Sequence, residues 1–176
     1  SIEAEIVIKK DVLKSIYSTD ARTIEKINFI KNYQGSALAG ATGCNANAAN
    51  TIAAMFIATG QDAAQVVESS SCFVTAEAVP TDAHQGCASD CADLYFSVSL
   101  PCVEVGTVGG GMGYATAREC LEILGCAGAG KTPGDNAKKL AEIVAASVLA
   151  QELNLLGTLA NEYELGESHM RLARGK

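Results

Sequence analysis

Tryptophan is absent and aromatic residues of all kinds make up only 5% of the 176-residue sequence, so close packing must come from smaller side chains. Alanine is plentiful and there are 17 glycines, a mix that suits helices whose backbones approach one another. Basic residues are the minority, 13 against 20 acidic ones, for a net charge of −7. That shortage excludes a nucleic-acid-binding surface, because phosphate contacts need clustered Lys and Arg. It does not exclude an anionic cofactor, which a few placed cations and backbone amides can hold. No long apolar run is uninterrupted: the stretch from Ser36 to Gly60 carries Asn45, Asn47 and Asn50, so no membrane segment is expected. The first residues, Ser1 to Glu5, have neither the basic start nor the apolar core of a secretory signal. Seven cysteines is an odd count, and reduced thiols in the cytoplasm are the expectation, with an anchor upstream of these residues left open.

With 48% apolar residues the chain can bury a core, and its length suits one domain. Ile2 to Ile8 alternates as a strand does. Lys9 to Ser18 carries Val12, Leu13 and Ile16 at helical spacing, and Asp20 is placed to cap a second helix bearing Ile24, Ile27 and Ile30. Ser36 to Gly60 has no proline and small residues all round, which predicts one long buried helix ended by Gly60. Val66 to Ala78 and Leu94 to Leu100 read as strands joined by a polar loop. Ala115 to Leu124, Pro133 to Leu156 and Leu159 to Arg174 read as helices. The expected class is α+β, a long buried central helix with flanking strands and helices.

Three motifs invite chemistry. Gly125 to Thr132 satisfies GxxxxGK[ST], the spelling of a phosphate loop. Such a loop needs a strand before it and a helix already running after it. Here ATARECLEIL before it reads as a helix and Pro133-Gly134 follows at once, so a glycine-rich turn between helices is the better account. His84, Cys87 and Cys91 suggest zinc, but a structural site wants four ligands and His169, the other histidine, lies far along the chain. A polar loop that holds two thiols is favoured. Gly106-Thr107-Val108-Gly109-Gly110-Gly111 follows a probable strand and does not fit GxGxxG; a tight turn and a ligand loop both remain open.

Taken in order, Lys31-Asn32, GSALAG, the run Asn45 to Asn50, FIATGQDAAQ, Glu104 to Gly111, Pro133 to Ala137 and Ser168-His169-Met170 resemble 3-hydroxy-3-methylglutaryl-CoA (HMG-CoA) reductases of the eukaryotic and archaeal class. The resemblance implies that residues 1–176 form the C-terminal part of the large catalytic domain, without the NADPH-binding small domain. It implies an oxidoreductase that reduces HMG-CoA to mevalonate and CoA with NADPH, working as a homodimer or higher oligomer. Asp62 and His169 are implied as catalytic groups, and Lys31, Asn50, Asn47, Leu156 and Lys14 as substrate-binding. Gly106, Thr107, Val108, Gly109, Gly110, Gly111 and Arg174 would meet the cofactor. The family's catalytic Glu and the loop bearing its catalytic Lys have no counterpart among these residues, so the expectation is that this stretch alone is inactive. A non-catalytic relative with the same fold is the alternative, and a phosphate-loop hydrolase the remote one. Gly175 stands where animal enzymes carry a regulatory Ser.

If the GxxxxGKT match is spelling alone, magnesium-ATP will show no saturable binding in calorimetry and Lys131→Ala will change nothing. Saturable binding that Lys131→Ala abolishes would restore the hydrolase reading.

Overall fold

A computed structural model describes residues 1–81, 92–161 and 164–173. It is a mixed fold of helices and one sheet, as the sequence pattern indicates. Strand β1 (Ile2–Ile8) leads into helices α1 (Lys10–Tyr17) and α2 (Ala21–Ile27), then a π-helical stretch, Asn28–Gly35, and a short α3 (Ser36–Ala39). Helix α4 (Ala48–Thr59), a 3-10 turn at Ala63–Gln65 and α5 (Val66–Ser69) follow, then strands β2 (Phe73–Pro80) and β3 (Ala92–Leu100). A second 3-10 turn, Gly110–Gly113, precedes α6 (Ala115–Ile123), α7 (Asp135–Ala160) and α8 (Glu164–Ala173). The sheet has the order β1–β3–β2. Central β3 is buried at Ala92, Leu94, Phe96, Val98 and Leu100, whereas edge strands β1 and β2 leave Ile6, Val7 and Phe73 exposed.

The chain divides into two compact units. One holds Ser1–Ala4, Asn47–Phe73 and Val98–Gln151; the other holds Glu5–Ala46, Val74–Ser97 and Glu152–Lys176. In the first, α6, the turn after it and α7 meet in an apolar cluster of Leu121, Cys126 and Leu140, with Val105, Met112 and Ile143 against it. Burial raises the pKa of the Cys126 thiol, which therefore stays protonated. The second unit is pinned by buried polar groups. Asn28 donates from Nδ2 to the Val74 carbonyl (2.9 Å) and accepts from Asn32 Nδ2 (2.8 Å). Both asparagines are buried, on a stretch whose wider π turn brings residues four apart nearly into line. Glu152 is fully buried, and its Oε2 accepts the Ala46 N–H at 2.8 Å. At Gly157, an added Cβ would sit 2.6 Å from the Tyr17 ring, so only glycine fits under that ring.

Two readings of the sequence need correcting. Ser36 to Gly60 is two helices, not one: Gly40 turns left-handed at φ +67 and closes α3, and α4 starts only at Ala48. Nor is α4 buried all round. Ala48, Ile52, Phe56 and Thr59 face inward at four- and three-residue spacing, while Ile57 is 73% exposed. The long helix of the fold is α7. It is also the one helix among the described residues long and apolar enough, by length and composition, to cross a membrane. Its buried Glu152, bonded to Ala46, is the contact of a helix packed against protein. The predicted strand from Val66 starts only at Phe73, because Val66–Ser69 closes a helical turn, with the Ser70 N–H on the Val66 carbonyl at 3.0 Å. Asp20 caps α2 as expected, accepting from the Thr23 N–H at 3.0 Å. Among the described residues Cys44, Cys72, Cys102, Cys120 and Cys126 form no disulfide, and no group of side chains could hold a metal. His84, Cys87 and Cys91 lie outside the described residues.

Asp93, on β3, is buried and accepts from Lys9 Nζ (2.8 Å) and the Lys10 N–H (3.0 Å). The Lys9 hydrogen bond, ahead of an opposing desolvation effect, lowers its pKa below the usual carboxylate value. A depressed folded-state pKa means stability that is present above the unfolded value and lost as pH falls through the folded one. Asp93→Asn should therefore cost about 1–2 kcal/mol at neutral pH, read from urea midpoints. The difference between variant and parent should shrink as pH drops below the ordinary carboxylate range; a constant difference would rule the linkage out.

Candidate active site

Helix α4 ends because Gly60 adopts φ +71, which returns the Gln61 N–H to the Phe56 carbonyl at 2.9 Å. There the chain meets the glycine run. A Cβ built on Gly60 would lie 2.6 Å from the Gly111 carbonyl oxygen, and one on Gly111 would lie 2.6 Å from the Gly60 carbonyl oxygen. Only two glycines permit that approach. Gln61 completes the joint with its amide: Oε1 accepts the Gly106 N–H at 2.8 Å, and Nε2 donates to the Gly106 carbonyl at 2.9 Å. The side chain thus pairs with Gly106 as a neighbouring strand would. Further along, Thr107 Oγ1 donates to the Gly128 carbonyl (2.7 Å) while the Gly128 N–H donates to the Thr107 carbonyl (3.2 Å).

Asp62 follows directly. It is exposed, and its Oδ1 accepts the Ala64 N–H at 2.9 Å, capping the turn Ala63–Gln65. One carboxylate oxygen is used by the cap and the other is open. The glycine run leaves Val108 61% exposed, and nothing lies within 4 Å of the positions where Gly109 and Gly110 lack a Cβ. A flat ligand could approach that backbone closely. Asp62 and Gly106–Gly111 are therefore held together by the Gly60–Gln61 joint. Asn47 and Asn50 sit in the same unit at the opposite end of α4, with the Asn50 N–H on the Asn47 carbonyl at 3.0 Å.

In the other unit, Lys31 is exposed on the π-helical stretch, directly before buried Asn32. Lys14 lines a hollow of about 390 Å³ with Ser18, Thr19 and Asp20. Leu156 is fully buried on α7. His169 is on α8, with its side chain outside the description, and Arg174 lies outside the described residues.

The GxxxxGKT segment is a turn between helices. α6 precedes it, and Asn136 Nδ2 and Lys139 Nζ donate to the Ala127 (2.7 Å) and Gly125 (3.1 Å) carbonyls.

A family model described as hydroxymethylglutaryl-coenzyme A reductase matches residues 1–174. The chain belongs to the HMG-CoA reductase family. It is 51% identical to the 3-hydroxy-3-methylglutaryl-coenzyme A reductase of Aeropyrum pernix over 174 residues, covering 99% of this chain and 38% of that reductase. It is 48% identical to reductase 3 of Oryza sativa subsp. japonica, covering 99% of this chain and 30% of the relative. Reductase 2 of Hevea brasiliensis is 47% identical, with 99% of this chain and 79% of the relative covered. The chain thus spans between a quarter and two fifths of the length of most of the curated reductases it matches.

Sequence reasoning did not assign Gln61 a role. Its position between Gly60 and Asp62 was the available signal: a long amide beside a left-handed glycine can reach a separate backbone segment. Gln61→Leu, which keeps the bulk and removes both bonds to Gly106, should lower stability by about 2 kcal/mol. It should also speed hydrogen exchange at the Gly106 amide. Unchanged protection at Gly106 would show that the clamp does not hold in solution.

Proposed function

We propose that the reductase carrying these residues reduces HMG-CoA to mevalonate and CoA at the expense of NADPH, and that residues 1–176 are the C-terminal part of its large domain. The observation that carries the proposal is the joint of Gly60 and Gln61 with Gly106 and Gly111, in a chain whose family match runs through residues 1–174. It holds an open carboxylate beside a Cβ-free backbone surface, an arrangement that suits a flat hydride donor and a cation partnered by Asp62.

The reduction takes four electrons, so two NADPH, bound in turn, would each supply one hydride, the first to the thioester carbonyl and the second to the aldehyde it yields. The open backbone at Gly109 and Gly110 fits a flat nicotinamide ring, with Gly106, Thr107, Val108 and Gly111 setting the loop's shape and Arg174 reaching the same cofactor. Asp62 would keep a neighbouring Lys, supplied from outside these residues, charged and hydrogen-bonded. That ammonium would stabilise the negative charge growing on the carbonyl oxygen. His169 would protonate the departing CoA thiolate, a task suited to a group titrating near neutrality. In the same proposal Lys31 pairs with the HMG carboxylate and Asn50, with Asn47, offers amides to the substrate. Leu156 would stand against the apolar part of the HMG group, and Lys14 would meet the CoA phosphates. The working unit is a homodimer or higher oligomer.

The test is NADPH oxidation with HMG-CoA, followed at 340 nm in the full-length protein. Asp62→Asn and His169→Ala should each lower kcat about 100-fold or more while the far-ultraviolet circular dichroism stays unchanged. A folded parent with no HMG-CoA-dependent oxidation would instead mark it as a non-catalytic relative.

A further inference from the structure

Helix α2 buries Ala21 and Ile24, and the stretch after it buries Asn28, a spacing of three and then four residues. Continued as an α-helix, that stripe would next turn position 31 inward, three residues on. Position 31 is a lysine. Lys31 is exposed, and Asn32 is the residue that is fully buried instead. The shift by one position comes with the π-helical stretch Asn28–Gly35, whose wider i→i+5 turn takes up an extra residue. Two amides hold the register. Asn28 Nδ2 donates to the Val74 carbonyl at 2.9 Å, and Asn32 Nδ2 donates to Asn28 Oδ1 at 2.8 Å. Asn32 is thus tied through Asn28 to β2.

Neither feature is favourable by itself. A π turn is a rare conformation, and Asn32 Oδ1 is buried with no hydrogen-bond partner among the described residues. A leucine would fill position 32 without an orphaned acceptor. What the amide and the turn achieve together is to keep Lys31 out of the core. Its ammonium makes no hydrogen bond or ion pair among the described residues. We propose that Asn32 is a positioning residue for Lys31: its bond to Asn28 keeps the π turn in register and the ammonium turned outward, toward an anionic group of the substrate. This rests on the reading above that Lys31 pairs with the HMG carboxylate, and adds the device that aims it.

The experiment is steady-state kinetics on the full-length protein, with HMG-CoA and NADPH varied separately. Asn32→Leu should raise the KM for HMG-CoA about tenfold and leave the KM for NADPH as in the parent. Lys31→Ala should raise the HMG-CoA KM at least as far. The double variant should be no worse than Lys31→Ala alone, because Asn32 acts through that side chain. A role in stability alone would leave both KM values unchanged, raise both together, or add to the Lys31→Ala effect; each of these results overturns the proposal. Asn32→Ser, which also loses the reach to Asn28, is read in the same way if the leucine variant does not fold. A folded parent without turnover, or a Lys31→Ala variant with the parental KM, would instead overturn the reading of the site, and the proposal with it.

Discussion

The approach of Gly60 to Gly111 is the constraint on which the candidate site rests. Two backbone segments come so near that neither can carry a side chain, and the contact decides everything local to it. It ends α4, aims Gln61 at Gly106, and sets the exposed Asp62 at the edge of the glycine run. The energies involved are ordinary: one left-handed glycine and two amide hydrogen bonds of about 1 kcal/mol each. What matters is that they act at one point, so the loop has a single way to sit. A site on loops needs such a fastening, because loops lack the repeated hydrogen bonds of helices and strands.

A different device fixes the other unit, where three buried polar side chains bond backbone far along the chain. Asn28 reaches Val74, Glu152 reaches Ala46, and Asp93 reaches the start of α1. Each joins segments at least 46 residues apart. Burying an amide or carboxylate is unfavourable unless its partner is in place, so these bonds select one pairing of segments more than they add stability. Lys31 belongs to the same logic. It projects from a π-helical stretch whose inward side is held by Asn28 and Asn32.

How much of this was legible in the sequence depended on the range of the forces. Asp20 as a cap, β1 as an alternating strand and α6 as a helix follow from neighbours within a few residues, and all were readable. So was the false phosphate loop, since the helix before it is a local property. The break in Ser36 to Gly60 was not readable, because the Gly40 to Asn47 segment is held open by Glu152, more than a hundred residues away. The exposed face of α4 was hidden for a related reason: alanines and isoleucines do not announce which side is covered. The wider turn of Asn28 to Gly35 likewise depends on β2, and no local pattern marks it. Of the candidate site, Asp62 and the glycine run were found by resemblance, whereas the amide clamp between them needed coordinates.

The seating of Tyr17 on Gly157 limits the order in which this sequence can change. Any side chain at position 157 would enter the space of the ring, so that position stays closed for as long as the tyrosine is present. A smaller residue at position 17 would have to come first, and once a larger residue had followed at 157 the ring could return only after glycine had. Divergence at this pair is therefore ordered: position 17 gives way before position 157 is filled, and the way back runs in the opposite order.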